Sequence, residues 1–486
     1  MKEINPFLLT DFYKVGHVFQ YPKGTTLVYS NMTPRQSRLK GVDKMVVFGI
    51  QWFIKRYLLE YFNENFFNRP KEEVMAEYKR MIFYTLGGDL PSYEHIAKIH
   101  DLGFLPIEIK ALPEGSTVSM RIPFLTIVNT KPEFYWLTNF IESLISSVIW
   151  QPCTSATIAY EYRKILNKYG TITGMSPDTV QWQGHDFSFR GMSSPESAAT
   201  SGMAHLLSFT GTDGIPAIAR LEQYYNANVE KELVGASISA TEHSVMSAGG
   251  FENQFDTYKR LITEIYPNGM LAIVSDTWNL WDVLTDFMPR LKNDIMSRDG
   301  KIVIRPDSGD PVLIICGNPA GKTEEERKGV VELLWEVFGG TLTSTGYKLL
   351  DSHIGTIYGD SITRERCEEI CSRLEKKGFA SQAVLGIGSY TYQYNTRDTF
   401  GTAMKSTYVE IKNIGMAIFK HPVTDDGTKF SATGLLEVVK DGNREFVLKE
   451  NVTWDEEKQG ELKTVFLDGK LTKDFTLAEI RNNLWG

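Results

Sequence analysis

Five short apolar runs in this chain each end on an acid, an arginine or a glycine turn. They close as His185-Asp186-Phe187, Val274-Ser275-Asp276, Ile304-Arg305-Pro306-Asp307-Ser308-Gly309, Ile357-Tyr358-Gly359-Asp360 and Val384-Leu385-Gly386-Ile387-Gly388. Parallel strands buried on both faces read as continuous hydrophobic segments, and in α/β barrels the chemistry collects at their carboxyl ends. The middle of the chain is therefore expected to assemble one active site from many strand tips.

A chain of 486 residues, 42% apolar and 23% charged, is long enough for two substantial cores. The formal charge of −8 argues against a general nucleic-acid binder, which carries a basic surface. The opening Met1-Lys2-Glu3 leads into no apolar signal region, and the most apolar stretch, Phe134 to Trp150, is interrupted by Asn139, Glu142 and several serines. It reads as a buried helix, so no membrane association and a cytoplasmic location are expected. Cys153, Cys316, Cys367 and Cys371 show no zinc-type pairing and read as reduced thiols.

Alternation predicts strands at Thr25 to Tyr29, Met45 to Phe48 and across Ile107 to Thr130, with a turn at Pro113-Glu114-Gly115. A helical pattern from Glu133 and another from Thr154 to Tyr169 follow. From about Gln181 the rhythm becomes strand, loop, helix, strand, with helices predicted at Pro195 to Leu207, Pro216 to Tyr225, Thr323 to Phe338 and Ile362 to Lys377. That order favours parallel strands covered by helices. After Gly401 the alternating pattern returns at Met404 to Ile411, Gly434 to Val439 and Glu445 to Leu448, with turn signals at Asp425-Asp426-Gly427 and Asp441-Gly442. The expected class is α/β: an irregular parallel barrel over 151–400, and a mixed-sheet α+β domain built from 1–150 plus 401–486.

Several segments carry chemistry-bearing side chains. Gly317-Asn318-Pro319-Ala320-Gly321-Lys322-Thr323 has one residue too few for a phosphate-cradling P-loop and reads as a loop capped into the next helix by Thr323. Gly386-Ile387-Gly388-Ser389 follows an apolar strand, and its small residues let backbone amides approach a phosphate. Arg305-Pro306-Asp307 suits a polyanionic sugar, with arginine gripping phosphate or carbonyl and the carboxylate accepting from ribose hydroxyls. An Arg/Asp pair that only fastens a loop is the other reading of that motif. Asp360 offers a second carboxylate for vicinal hydroxyls, or a helix cap. Asp213 sits in a glycine-flanked turn, and Glu242-His243-Ser244 places a carboxylate beside an imidazole, which can orient it for chemistry or leave it structural. Phe187 and Arg190 supply a flat apolar surface near a cation.

Taken in order, Thr10-Asp11-Phe12-Tyr13-Lys14, His185-Asp186-Phe187-Ser188-Phe189-Arg190-Gly191, Gly211-Thr212-Asp213, Glu242-His243-Ser244, Val274-Ser275-Asp276, Arg305-Pro306-Asp307-Ser308-Gly309 and Gly359-Asp360 resemble the motifs of the nicotinamide phosphoribosyltransferase family, type II phosphoribosyltransferases. The likeness runs from the amino-terminal motif to Arg481. It implies a homodimer with shared active sites, joining nicotinamide to 5-phosphoribosyl-1-pyrophosphate to give nicotinamide mononucleotide and pyrophosphate. By the same resemblance, Phe187 and a partner subunit's Tyr13 sandwich the pyridine, Asp213 accepts from the carboxamide nitrogen and Arg305 meets its oxygen. Asp307, Gly359 and Asp360 hold the ribose. Arg190, Gly388, Ser389 and a second copy's Arg397 and Lys405 surround the phosphates. Arg35, Lys420 and Lys429 are implied as outer pyrophosphate or ATP contacts. His243 is implied to accept a phosphoryl group from ATP, an activator, with Glu242 or Asp276 fixing its tautomer. Mg2+ is implied as cofactor, with no ligands named by the sequence.

The chain also departs from the family pattern. Ser389 and Tyr390 stand where glycines are expected, Ala272 and Ala403 replace serines, and Phe12 replaces a small polar residue. Nicotinate-using relatives resemble this chain except for a serine at the place of Asp213, since an acid there repels a carboxylate substrate. Two rival readings follow: a nicotinate or quinolinate transferase of the same fold, or a binding protein that has lost catalysis.

Overall fold

In the run Gly300–Arg305, Ile302 and Ile304 point one way and Val303 the other, as a strand's two-residue period requires. In the computed structural model, which describes residues 3–359, 361–424 and 430–486, the first pair packs outward with Leu271, Ile273 and Ile354 against helices carrying Leu284, Leu291 and Leu334. Val303 packs inward with Ala272 and Ile357, against which Phe187, Ile238 and Val384 lie. Both faces are buried, so the β-branched run is stable only inside a helix-covered parallel sheet. Each such side chain contributes about 2 kcal/mol when fully buried.

The chain divides into two units. One comprises residues 158–219 and 229–394, and the other 1–157, 220–228 and 395–486. In the first, seven strands form one sheet: β1 (Gly184–Asp186), β2 (Gly211–Thr212), β3 (Ser239–Ala240), β4 (Gly269–Val274), β5 (Gly300–Arg305), β6 (Ile354–Tyr358) and β7 (Val384–Ile387), in the order β2-β1-β7-β6-β5-β4-β3. Every pairing in it is parallel. An additional parallel bridge, Gly211 to Ala236, links β2 to the segment entering β3 and closes the wall. All five apolar runs of the sequence are strands of this sheet.

The other unit holds a seven-stranded antiparallel sheet. Its order is Ile414–Ala417, Ala403–Ile411, Thr25–Thr33, Leu125–Asn129, Ile107–Ala111, Lys463–Leu467 and Lys470–Leu471. Strands from both ends of the sequence thus pair side by side.

Boundaries shift where side chains redirect the backbone. The predicted helix Thr323 to Phe338 is two, Glu324–Lys328 and Val330–Phe338, because Gly329 takes a left-handed φ of 80° between them. Thr323 caps the first in a reciprocal box with Glu326, which accounts for the near-P-loop. The helix expected from Ile362 runs Arg364–Lys376 and is capped by Thr363. The patterns from Glu133 and Thr154 merge into a 32-residue helix, Glu142–Thr173, with Pro152 inside it. Among the described residues no helix is long and apolar enough to cross a membrane.

Candidate active site

Strand parity decides what the barrel mouth presents. Val303 and Ile357 face inward, so Arg305 and Gly359, each two residues on, share that face at the carboxyl ends of β5 and β6. These residues line a cavity of about 870 Å³ together with Phe187, Arg190, Asp213, Glu242, His243, Asp307, Gly388 and Ser389. Residues from many separate chain segments thus meet in one space.

Phe187 lies on Gly386, whose missing Cβ would sit 2.6 Å from the phenyl ring, and its ring centroid is 4.6 Å from that of His185 at 42°. His185 in turn reaches Asp213: Nε2 to Oδ1 is 2.8 Å, and since a carboxylate only accepts, Nε2 carries the proton. Ser237 Oγ donates to the same oxygen at 2.6 Å. Desolvation alone would raise the Asp213 carboxyl, but these two hydrogen bonds, with His185 and Arg305 nearby, hold it below the usual carboxylate range. Asp186, of opposite parity, caps the following turn by accepting from Ser188 N.

Arg305 is largely buried. Its Nη2 donates to Thr241 O at 2.9 Å, while Nε lies 3.5 Å from Asp307 Oδ1. Asp307 is seated from below, its backbone N–H donating to Asp276 Oδ2 at 2.9 Å. Above Gly359 the space a Cβ would fill is taken by the Asp307 carboxylate, 2.0 Å away. The imidazole of His243 is half exposed, with Nε2 at 3.9 Å from both Asp276 Oδ1 and Asp307 Oδ2.

The expected orientation of His243 by Glu242 or Asp276 is not what the side chains do. Thr277 Oγ lies 3.1 Å from Nδ1, whereas Glu242 accepts from Ser244 Oγ and Asp276 stands beyond hydrogen-bond reach of the ring. Glu242 lies one residue before His243 on extended backbone (φ −126°, ψ 169°), and its carboxylate is taken up two residues on. Thr277 and Ser237 escape a reading of the sequence because lone hydroxyl residues in loops carry no spacing signal.

The remaining candidates lie in the other unit or outside the described residues. Arg35 and Lys405 line a cavity of about 310 Å³ with Arg121 and His421, neither of which any motif singles out. Burial and the neighbouring cations Arg35, Lys420 and Lys14 lower the ammonium pKa of Lys405. Tyr13, Arg397 and Lys420 stand exposed outside that lining; Tyr13 packs edge-on to His17. Asp360 and Lys429, and the turn Asp425-Asp426-Gly427, lie outside the described residues. Among the described residues no cluster of three or more metal-ligating side chains occurs.

Comparison with known proteins places this geometry. The family described as "Nicotinate phosphoribosyltransferase (NAPRTase) family" matches residues 182–470, and the "Nicotinamide phosphoribosyltransferase, N-terminal domain" matches residues 5–109. The nicotinamide phosphoribosyltransferase of Acinetobacter baylyi is 52% identical over 99% of this chain and 97% of its own length. That of Mycoplasma pneumoniae is 34% identical over 89% and 96%, and that of Xanthomonas campestris 30% over 98% and 97%. Among solved structures, the fold is shared with nicotinate-nucleotide pyrophosphorylase from Pyrococcus furiosus (TM-score 0.58, 15% identity, 99% of this chain and 95% of that one). It is shared too with human nicotinic acid phosphoribosyltransferase (TM-score 0.52, 13% identity, 98% and 92%). A chain aligned end to end with such relatives belongs to the nicotinamide phosphoribosyltransferases of the nicotinate phosphoribosyltransferase family.

Proposed function

We propose that this protein transfers the phosphoribosyl group of 5-phosphoribosyl-1-pyrophosphate to nicotinamide, giving nicotinamide mononucleotide and pyrophosphate in NAD salvage. The observation that carries the reading is the gathering of Phe187, Asp213, Arg305 and Asp307 around one cavity. A flat ring for stacking, an anion for an amide N–H, a cation for an amide oxygen and an acid for ribose hydroxyls are the groups this reaction needs.

In the reaction the C1–oxygen bond to pyrophosphate breaks, positive charge develops on the ribose, and the pyridine nitrogen forms the new bond to C1. No general base is required, so the rate comes from alignment and charge. Phe187 stacks the pyridine, a contact worth about 1 kcal/mol beyond burial. Asp213 and Arg305 fix its rotation by reading the carboxamide. Asp307 and Asp360 hold the ribose hydroxyls beside Gly359, and Arg190 with the backbone around Gly388 and Ser389 meets phosphate. Tyr13, Arg397 and Lys405 of a second copy complete the site in a homodimer, and Arg35, Lys420 and Lys429 are the further cations for pyrophosphate or ATP.

Asp276 and Asp307 suit Mg2+, which prefers phosphate oxygens and one or two carboxylates, and Asp276 Oδ1 is a buried acceptor without a hydrogen-bond partner among the described residues. Held there by Asp276 and Asp307, such an ion would supply positive charge toward the leaving pyrophosphate. His243 is the nucleophile toward ATP: Nε2 bonds the terminal phosphorus as the bond to ADP breaks, with Nδ1 held by Thr277. The four buried, unbridged cysteines suit the reducing cytoplasm.

Purified protein given nicotinamide, the activated ribose and Mg2+, with and without ATP, tests the reading. Nicotinamide mononucleotide is expected, in larger yield with ATP. Faster consumption of nicotinate or quinolinate, or no turnover at all, overturns it.

A further inference from the structure

Asp213 has two carboxylate oxygens, and the protein treats them differently. Oδ1 accepts from two donors carried by separate parts of the wall: His185 at 2.8 Å from β1, and Ser237 at 2.6 Å from the segment that enters β3. Oδ2 has no protein donor among the described residues, and the side chain, 45% exposed, lines the cavity. Two donors on one oxygen remove the rotation about Cβ–Cγ that would interchange the pair. The second oxygen is therefore aimed rather than free to swing.

His185 is also tied to the stacking surface, its ring lying 4.6 Å from that of Phe187. One imidazole thereby sets the position of the acid relative to the aromatic plane, the relation a planar amide-bearing heterocycle must match. Resting on the reading of Asp213 as the amide acceptor, we propose that Ser237 and His185 are positioning residues that clamp Oδ1 of Asp213 and so present Oδ2 to the carboxamide N–H of nicotinamide. Neither touches the reacting atoms. The same clamp keeps the acid ionised: the hydrogen bonds from His185 and Ser237 oppose the desolvation that raises Asp213.

Steady-state kinetics and the acid limb of kcat/KM for nicotinamide test this on Ser237→Ala, Ser237→Thr, His185→Phe and Asp213→Asn. Ser237→Ala is expected to raise KM for nicotinamide about 10-fold with little change in kcat, the size of one hydrogen bond to a charged group. Its acid limb is expected to move to higher pH, a shift that loss of packing alone does not produce. Ser237→Thr returns a hydroxyl and is expected to recover most of the lost affinity. His185→Phe keeps a ring beneath Phe187 while deleting the donor, and is expected to move KM and the acid limb in the same sense as Ser237→Ala.

If Ser237→Ala and His185→Phe both keep the parental KM and acid limb while Asp213→Asn weakens nicotinamide, the clamp is refuted and the amide reading stands. If Asp213→Asn itself keeps parental kinetics, the amide reading falls and the clamp with it.

Discussion

Gly359→Ala separates the ribose-holding role of Asp307 from a merely structural one. A Cβ at position 359 would lie 2.0 Å from Asp307 Oδ1 and 3.0 Å from its Cγ. Carbon atoms of real side chains do not approach closer than about 3 Å, so the carboxylate must retreat by about 1 Å. Gly359 does not adopt a left-handed φ, so alanine adds crowding and no backbone strain, and the fold is kept. The displaced carboxylate leaves its place between Arg305 Nε, 3.5 Å away, and His243 Nε2, 3.9 Å away. A displacement of that size at a positioning group costs about 10²-fold in rate, or about 2.7 kcal/mol. The loss is expected in kcat/KM for the activated ribose, measured by initial rates with that substrate varied. Nicotinamide affinity, read by calorimetry, should change by less than about 3-fold because Phe187 and Asp213 are untouched and Arg305 keeps its hydrogen bond to Thr241 O. A Gly359→Ala enzyme with parental kcat/KM for the activated ribose refutes the placement of the sugar against Asp307.

Other perturbations follow from the same geometry. Asp213→Ser removes the anion: kcat/KM for nicotinamide should fall about 10- to 100-fold while that for nicotinate rises, and continued parental rejection of nicotinate in competition assays would place the determinant elsewhere. His243→Ala should abolish ATP hydrolysis while leaving ATP-independent transfer measurable; undiminished ATPase activity refutes the nucleophile assignment. Among the described residues His95 finds no hydrogen-bond partner for either ring nitrogen; it packs against Trp136 and Phe19, and its pKa is lowered by burial to about 4. Because its folded pKa lies below the unfolded 6.5, the unfolded chain binds the extra proton. Stability is full above pH 6.5 and falls by up to about 3 kcal/mol as pH drops toward 4. His95→Phe should flatten that part of the urea-melt profile between pH 7 and 5, and an unchanged slope would remove His95 as its cause.

What the sequence makes legible follows the strength of local signals. The runs ending at Asp186, Asp276, Arg305, Gly359 and Gly388 are visible because strands buried on both faces need unbroken apolar residues, and their ends announce the site. Gly211–Thr212 and Ser239–Ala240 are invisible as strands: two residues each, small or polar, held by neighbours and not by propensity. Ser237 belongs to that hidden segment, so its approach to Asp213 has no trace in the order of residues. The split at Gly329 carries a local mark, a glycine between the charged run Glu324 to Lys328 and the apolar run from Val330, but both runs favour helix and so read as one. Thr277 was beyond reach for another reason: nothing local distinguishes a hydroxyl that meets an imidazole 34 residues away from one that faces water.

The single bridge between Gly211 and Ala236 makes the barrel wall unequal around its circumference. Elsewhere ladders of two to six residue pairs knit each strand to the next, but here one bridging pair joins the two margins. Asp213 and Ser237 flank that seam. Widening it would loosen the mounting of Asp213, the proposed amide acceptor, without unzipping the paired length of β5 that leads to Asp307, the proposed ribose acceptor. On that proposal, substitutions at the seam alter the choice of pyridine while the grip on the sugar stays as it is.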